Sequence, residues 1–123
     1  MTGVGVLTVH HEEDGRRATR AIVNATPGFE EAGVAGSAEE ALEIAVAVRP
    51  ALALVAAVMP GIDGFETSRR LLQAVPETVV CLIHAAGEPS ASALAGSGAA
   101  ATMPADGLTR ASLQALWERH GRR

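Results

Sequence analysis

Three of the chain's four histidines, His10, His11 and His84, are its most chemically capable side chains, because a neutral imidazole can take up a proton or ligate a borderline metal such as zinc. His10 and His11 are adjacent. Neighbouring residues on a strand point to opposite faces, so these two rings converge only where the backbone leaves strand geometry. Glu12 and Glu13 follow at once, and paired glutamates opening a helix are solvated partners of its dipole more readily than ligands of a cation. Cys81 lies within an apolar run, which marks it as a small buried hydrophobe rather than a nucleophile. As the single cysteine it cannot form an internal disulfide. All ten basic residues are arginines, so no lysine ammonium is present anywhere in the chain.

The elements that must position these groups belong to one domain of 123 residues, long enough to bury a core without disulfides. No internal repeat or linker divides it, and the expectation is a single unit, 1–123, without an appended output domain. Aromatic residues make up only 2% of the chain, so Ala, Val and Leu must fill the interior. A net charge of −4 excludes the basic surface that nucleic-acid binding requires. No apolar run approaches the roughly 20 residues of a membrane span, and the N-terminus has no basic-then-apolar leader, so a cytoplasmic protein is expected. Arginine in place of lysine, together with abundant alanine, suggests a GC-rich bacterial source. Arg16, Arg17 and Arg20 read as solvated helix surface, and Arg119, Arg122 and Arg123 suit the C-terminal end of a helix.

Strand and helix signals alternate along the chain. Val4 to Val9 is a short β-branched run, and Arg16 to Asn24 has helical spacing halted by Pro27-Gly28. Phe29 to Ala35 is a second strand weakened by Glu30 and Glu31. Ser37 with Glu40 forms a capping box before the apolar stripe Ala41, Leu42, Ile44, Ala45 and Val48, which Arg49-Pro50 closes. Ala51 to Val58 is apolar throughout, as a central parallel strand covered on both faces should be. Asp63 caps the next helix, with Glu66 at its third position. Thr78 to Ile83 and Ala99 to Met103 supply the fourth and fifth strands, and Asp106 caps a final helix through Leu113, Leu116 and Trp117. Gly87 to Gly98 is nearly all small residues, so the fourth helix should be short, mobile or partly unwound. Five such units imply a doubly wound, five-stranded parallel sheet with a crevice at the carboxyl ends of its strands.

The apolar strand before Met59-Pro60-Gly61, followed by Asp63-Gly64, resembles the centre of a response-regulator receiver domain. The resemblance extends over the whole chain in element order, through the Ser37 to Leu42 helix start and through Val6 to His11. It implies the CheY-like, flavodoxin-like (β/α)5 fold with strand order 2-1-3-4-5, and it assigns a place to each histidine. The family's phospho-acceptor aspartate corresponds to Ala56, and its paired magnesium-binding acids correspond to His10 and His11. Its phosphoryl-sensing hydroxyl corresponds to His84, and its lysine to Ala105, or to Pro104 with a shifted gap. The aromatic switch residue corresponds to Thr102.

A methyl group neither attacks phosphorus nor holds a cation, and imidazole is a poor ligand for magnesium. The resemblance therefore implies a pseudo-receiver, a degenerate member that works as a phosphorylation-independent interaction module and is not an enzyme. Magnesium is not expected. Met59, Pro60, Gly61, Asp63 and Gly64 are retained for the loop and the helix cap. The implied fold brings His10, His11 and His84 to one end of the sheet, with the first and fourth strands flanking the third. Two alternatives stay open there: the imidazoles fill the emptied pocket, or they form a metal or small-molecule sensor site in which zinc is the borderline metal. A protein partner or a second copy of the chain is the expected contact. The first-and-last-helix side is favoured for it because Trp117, Leu113 and Leu116 offer anchors.

Overall fold

The computed structural model describes residues 3–85 and 87–121; Arg122 and Arg123 lie outside them. Five strands and five helices alternate: β1 Val4–Val9, α1 Glu13–Ala25, β2 Phe29–Ala35, α2 Ala38–Val48, β3 Leu52–Ala56, α3 Gly64–Ala74, β4 Val79–His84, α4 Ala91–Ser97, β5 Ala101–Pro104 and α5 Arg110–His120. A 3-10 turn, Ala105–Gly107, joins β5 to α5. The sheet runs β2-β1-β3-β4-β5, with every neighbouring pair parallel. This is the doubly wound flavodoxin-like order expected from the sequence.

Period-two alternation on the central strands divides the core between the two faces of the sheet. Leu7, Val9, Ala53, Val55, Val80 and Leu82 pack with Ala41 and Ala45 of α2 and Leu71 of α3. Val6, Leu52, Leu54, Val79 and Cys81 pack on the other face with Val23 of α1 and Leu113 and Leu116 of α5. Leu113 and Leu116 are thus consumed by the core, and Trp117 packs partly buried against it. The two leucines are therefore not exposed docking anchors, whereas Trp117 keeps part of its surface exposed. Val48 also departs from expectation, being 46% exposed beyond the end of the α2 stripe.

Helix starts follow local side-chain chemistry. Ser37 Oγ accepts from the Glu40 amide at 3.2 Å, while the Glu40 carboxylate accepts from the Gly36 amide at 2.7 Å. Asp63 accepts from the Glu66 amide at 2.9 Å, as expected. The final helix differs. Its cap is Thr109, whose hydroxyl accepts from the Ser112 amide at 3.1 Å while Ser112 Oγ accepts from the Thr109 amide at 2.8 Å. Asp106 sits instead in the 3-10 turn before it, because Gly107 and Leu108 intervene before helical geometry begins. α4 is a regular helix of 7 residues capped by Ser90, short as its small residues implied but not unwound. The second strand's glutamates are tolerated because β2 is an edge strand, where Glu31 pairs with Arg20 at 2.6 Å.

Candidate functional site

β3 ends at Ala56, which is 5% exposed and pairs with Ile83 of β4. The chain then turns: the Ala57 amide donates to the Ile83 carbonyl at 2.8 Å, and the Gly64 amide donates to the Ala57 carbonyl at 2.9 Å. Gly64 is the reason α3 can start so close to the strand. A Cβ placed on it would lie 2.1 Å from the Ala56 carbonyl oxygen and 2.8 Å from Ala57 Cα. Gly61 has φ +75°, a left-handed conformation that glycine adopts without steric cost. Met59 is buried against the core, Pro60 is exposed, and Asp63 caps α3. Gly61, Asp63 and Gly64 thus shape the turn and the start of α3.

Both N-terminal histidines lie beyond the end of β1, so they escape strand alternation and their rings stack, with centroids 5.3 Å apart and planes 17° apart. His10 Nδ1 accepts from the Glu12 amide at 3.0 Å, and Arg16 donates to the His10 carbonyl at 2.9 Å. Burial, reinforced by the neighbouring His11, lowers the His10 pKa from its ordinary value, and Glu12 opposes this only in part. The ring lies over Gly15, where a Cβ would come 2.3 Å from His10 Nε2. Sequence reasoning overlooked this glycine, although an isolated glycine inside a helical pattern was the available signal.

Gly15 and His10 should therefore be coupled. In the native background, Gly15→Ala gains helix propensity of about 1 kcal/mol but displaces the ring and loses its hydrogen bond, so little net change is expected. In a His10→Ala background the same substitution should stabilise by about 1 kcal/mol. Denaturant melts of the four variants of this double-mutant cycle measure the difference, and strict additivity would contradict the contact.

His84 ends β4 with 8% exposure, and neither of its ring nitrogens has a hydrogen-bond partner. Thr102 Oγ1 is likewise buried without a partner. His10, His11, Ala56, His84 and Ala105 line one cavity of about 460 Å³ at the carboxyl ends of the strands. Thr102 does not line it; it is among the residues along a separate groove between β5 and α5, with its hydroxyl buried. Pro104 pairs with His84 as the last residue of β5. The cavity wall includes Ala18 and Ile22 of α1, Val58, Ile83 and Leu108, with Glu12 and Asp106 also contributing. Only the motif positions were foreseen, since the α1 wall carries no motif.

The described residues contain no group of three His, Cys, Asp or Glu side chains placed to hold a metal ion. His10 is committed through Nδ1 to the Glu12 amide, and its ring stacks on His11 instead of converging with it on a common point. The residues present do not fit magnesium either, because the positions that would need carboxylate oxygens hold imidazoles and a methyl group. Cys81 is fully buried, and burial pushes its thiol up to about 12, which removes it as a nucleophile at neutral pH.

Comparison with known proteins agrees with this architecture. The family model described as "Response regulator receiver domain" matches residues 6–103. The chain belongs to that family. It is 30% identical over 121 residues to protein-glutamate methylesterase/protein-glutamine glutaminase 5 of Myxococcus xanthus, covering 98% of this chain and 35% of that protein. It is 36% identical over 77 residues to the corresponding enzyme 1 of Syntrophus aciditrophicus, covering 63% of this chain and 22% of that one. The chain thus spans between about a fifth and a third of the length of these relatives. Among solved structures, the signal receiver domain of NarL from Mycobacterium tuberculosis superposes with a TM-score of 0.83 at 24% identity, covering 100% of both chains. The response regulator domain of Thermotoga maritima CheB gives 0.76 at 22% identity, covering 95% of this chain and 92% of that one. No helix among the described residues is long and apolar enough to cross a membrane.

Proposed function

We propose that this receiver domain regulates by binding protein partners without being phosphorylated, and that it acts as a pseudo-receiver rather than an enzyme. The observation that carries the reading is Ala56, a buried methyl group at the end of β3 where the family's acceptor carboxylate belongs. Two further losses act in the same direction. Phosphoryl transfer depends on cationic groups placed to stabilise the transferring oxygens. The chain has no lysine, no arginine among the described residues lines the cavity, and the carboxylates that do line it, Glu12 and Asp106, stand outside the positions of the family's magnesium-binding acids.

Methylesterase activity is a property of the longer relatives, and this chain matches only a minor share of their length. Their receiver-like portion nevertheless suggests a natural partner class, a protein domain whose access or activity the module controls. A second copy of the chain is the other partner. Because α5 spends Leu113 and Leu116 on the core, such contacts are more readily made through polar groups on the α1 and α5 surfaces than through those leucines.

The direct test is incubation with acetyl phosphate and magnesium followed by intact mass measurement. No covalent phosphate should be gained, and the melting temperature should be unchanged by magnesium. A stoichiometric mass increase that disappears on mutation of an acidic residue would overturn the reading.

A further inference from the structure

We propose that His10 is a proton-sensitive latch on the start of α1, closed by its neutral imidazole and released when the ring takes up a proton. The N-cap residue of α1, Glu12, makes no side-chain capping bond. The bond that fixes the entry to the helix comes from two places earlier, where His10 Nδ1 accepts from the Glu12 amide at 3.0 Å. An imidazole that accepts at Nδ1 is neutral and carries its proton on Nε2. The ring lies over Gly15 in the first turn, in space that a Cβ there would fill. The backbone of His10 is held independently: its amide donates to the Ala35 carbonyl at 3.1 Å, and Arg16 donates to its carbonyl at 2.9 Å. The side chain can therefore change its contacts while the chain path through His10 stays in place.

A proton on Nδ1 turns the acceptor into a donor that faces the Glu12 N–H, so the bond is lost and the ring must leave. The charged and titratable groups around it set when this happens. On its own loop stand His11, stacked at 5.3 Å, and Glu12. Arg16 approaches from α1, while Glu40 of α2 is held by the Gly36 amide. His84 of β4 and Asp106 of the turn after β5 line the same cavity. His11, Arg16 and the positive end of the α1 dipole all oppose an imidazolium at this position. The Glu12 carboxylate favours it, yet burial and His11 together hold His10 below its ordinary value. The neutral ring thus contributes stability that is present above about pH 6.5 and lost as pH falls through the lowered folded value.

The consequence reaches the crevice because Glu12, Gly15, Ala18 and Thr19 form its α1 wall. Release of the ring uncovers Gly15, a residue of low helix propensity, in a first turn that has no side-chain cap of its own. The first turn then frays, and the wall moves with it. The Arg16 amide donates to the Glu12 carbonyl at 3.0 Å, so its exchange with solvent reports whether that turn is closed. The latch gives the domain an input other than phosphate and does not depend on whether the domain is phosphorylated: phosphate uptake is read by mass, the latch by amide exchange.

The test is NMR of the full chain between about pH 7.5 and about pH 5, following the His10 ring, the Glu12 amide shift and the protection of the Arg16 amide corrected for its intrinsic exchange rate. The Glu12 amide should titrate together with the His10 ring, and protection at Arg16 should fall about five-fold on acidification. Amides of Leu54 and Val80 in the central strands should stay protected throughout, which marks the event as local. His10→Asn supplies an acceptor that does not titrate, so it should keep Arg16 protected at both ends of the range. His10→Ala should leave Arg16 weakly protected at both. Protection in the native chain that does not change with pH overturns the latch. A transition that persists in His10→Asn assigns it to another group and overturns it equally, as does full protection in His10→Ala.

Discussion

Gly64→Ala is expected to destabilise the domain by about 3 kcal/mol and to lower its melting temperature by roughly 10 °C. The added methyl would overlap the Ala56 carbonyl oxygen at 2.1 Å and crowd Ala57 Cα at 2.8 Å, and both are backbone atoms that cannot turn aside. Relief requires moving the start of α3 away from β3. That movement stretches the bond from the Gly64 amide to the Ala57 carbonyl, now 2.9 Å. Alanine's better helix propensity returns at most about 1 kcal/mol, so the steric cost dominates. Gly61→Ala is the natural control. A Cβ there meets nothing within 4 Å, and the only penalty is the left-handed φ of +75°, which costs about 1–2 kcal/mol for an alanine. Thermal or urea melts of both variants decide the matter. If Gly64→Ala is no worse than Gly61→Ala, close approach is not what this glycine provides.

That comparison also bears on the proposed pseudo-receiver, since it says what the loop needs irrespective of the strand's last residue. Turn, cap and close-packed glycine are geometric requirements of joining β3 to α3, and they hold whether Ala56 or an aspartate ends the strand. The chemical positions carry no such constraint. Under the proposed reading, His10 and His11 stand beyond the end of β1, and the core is made mainly by residues further back along β1, β3 and β4.

The fold was largely legible in the sequence for the same reason. Continuous apolar runs at the central strands, the Ser37 and Asp63 caps and the Arg49-Pro50 stop each act through neighbouring residues, which a linear reading captures. Misreadings occurred where non-local geometry decides. Thr109 rather than Asp106 caps α5 because a 3-10 turn uses the intervening residues. Val48 looks like part of an apolar stripe, but the end of α2 has no partner to cover it. Within the site, the resemblance to receiver domains located His10, His11, Ala56, His84 and Ala105 on one crevice but gave no sign of the α1 wall. Thr102 was placed there by the same resemblance, yet it is not among the residues that line the crevice. The His10 ring lies over Gly15, a contact between loop and helix that the sequence reading did not anticipate.

His84→Leu should raise stability by about 2 kcal/mol, an increase of roughly 8 °C in melting temperature. The histidine ends β4 on the same strand positions that place Val80 and Leu82 in the core, and it is 8% exposed. A buried polar group with no partner retains its desolvation penalty of about 1–3 kcal/mol. Both ring nitrogens are in that condition. Leucine is of similar size and removes the penalty while keeping apolar contacts, so the expected change is favourable despite the ordinary tendency of core substitutions to destabilise. A denaturant melt measures it directly, and a loss of stability would mean that the imidazole makes a hydrogen bond worth more than its burial costs.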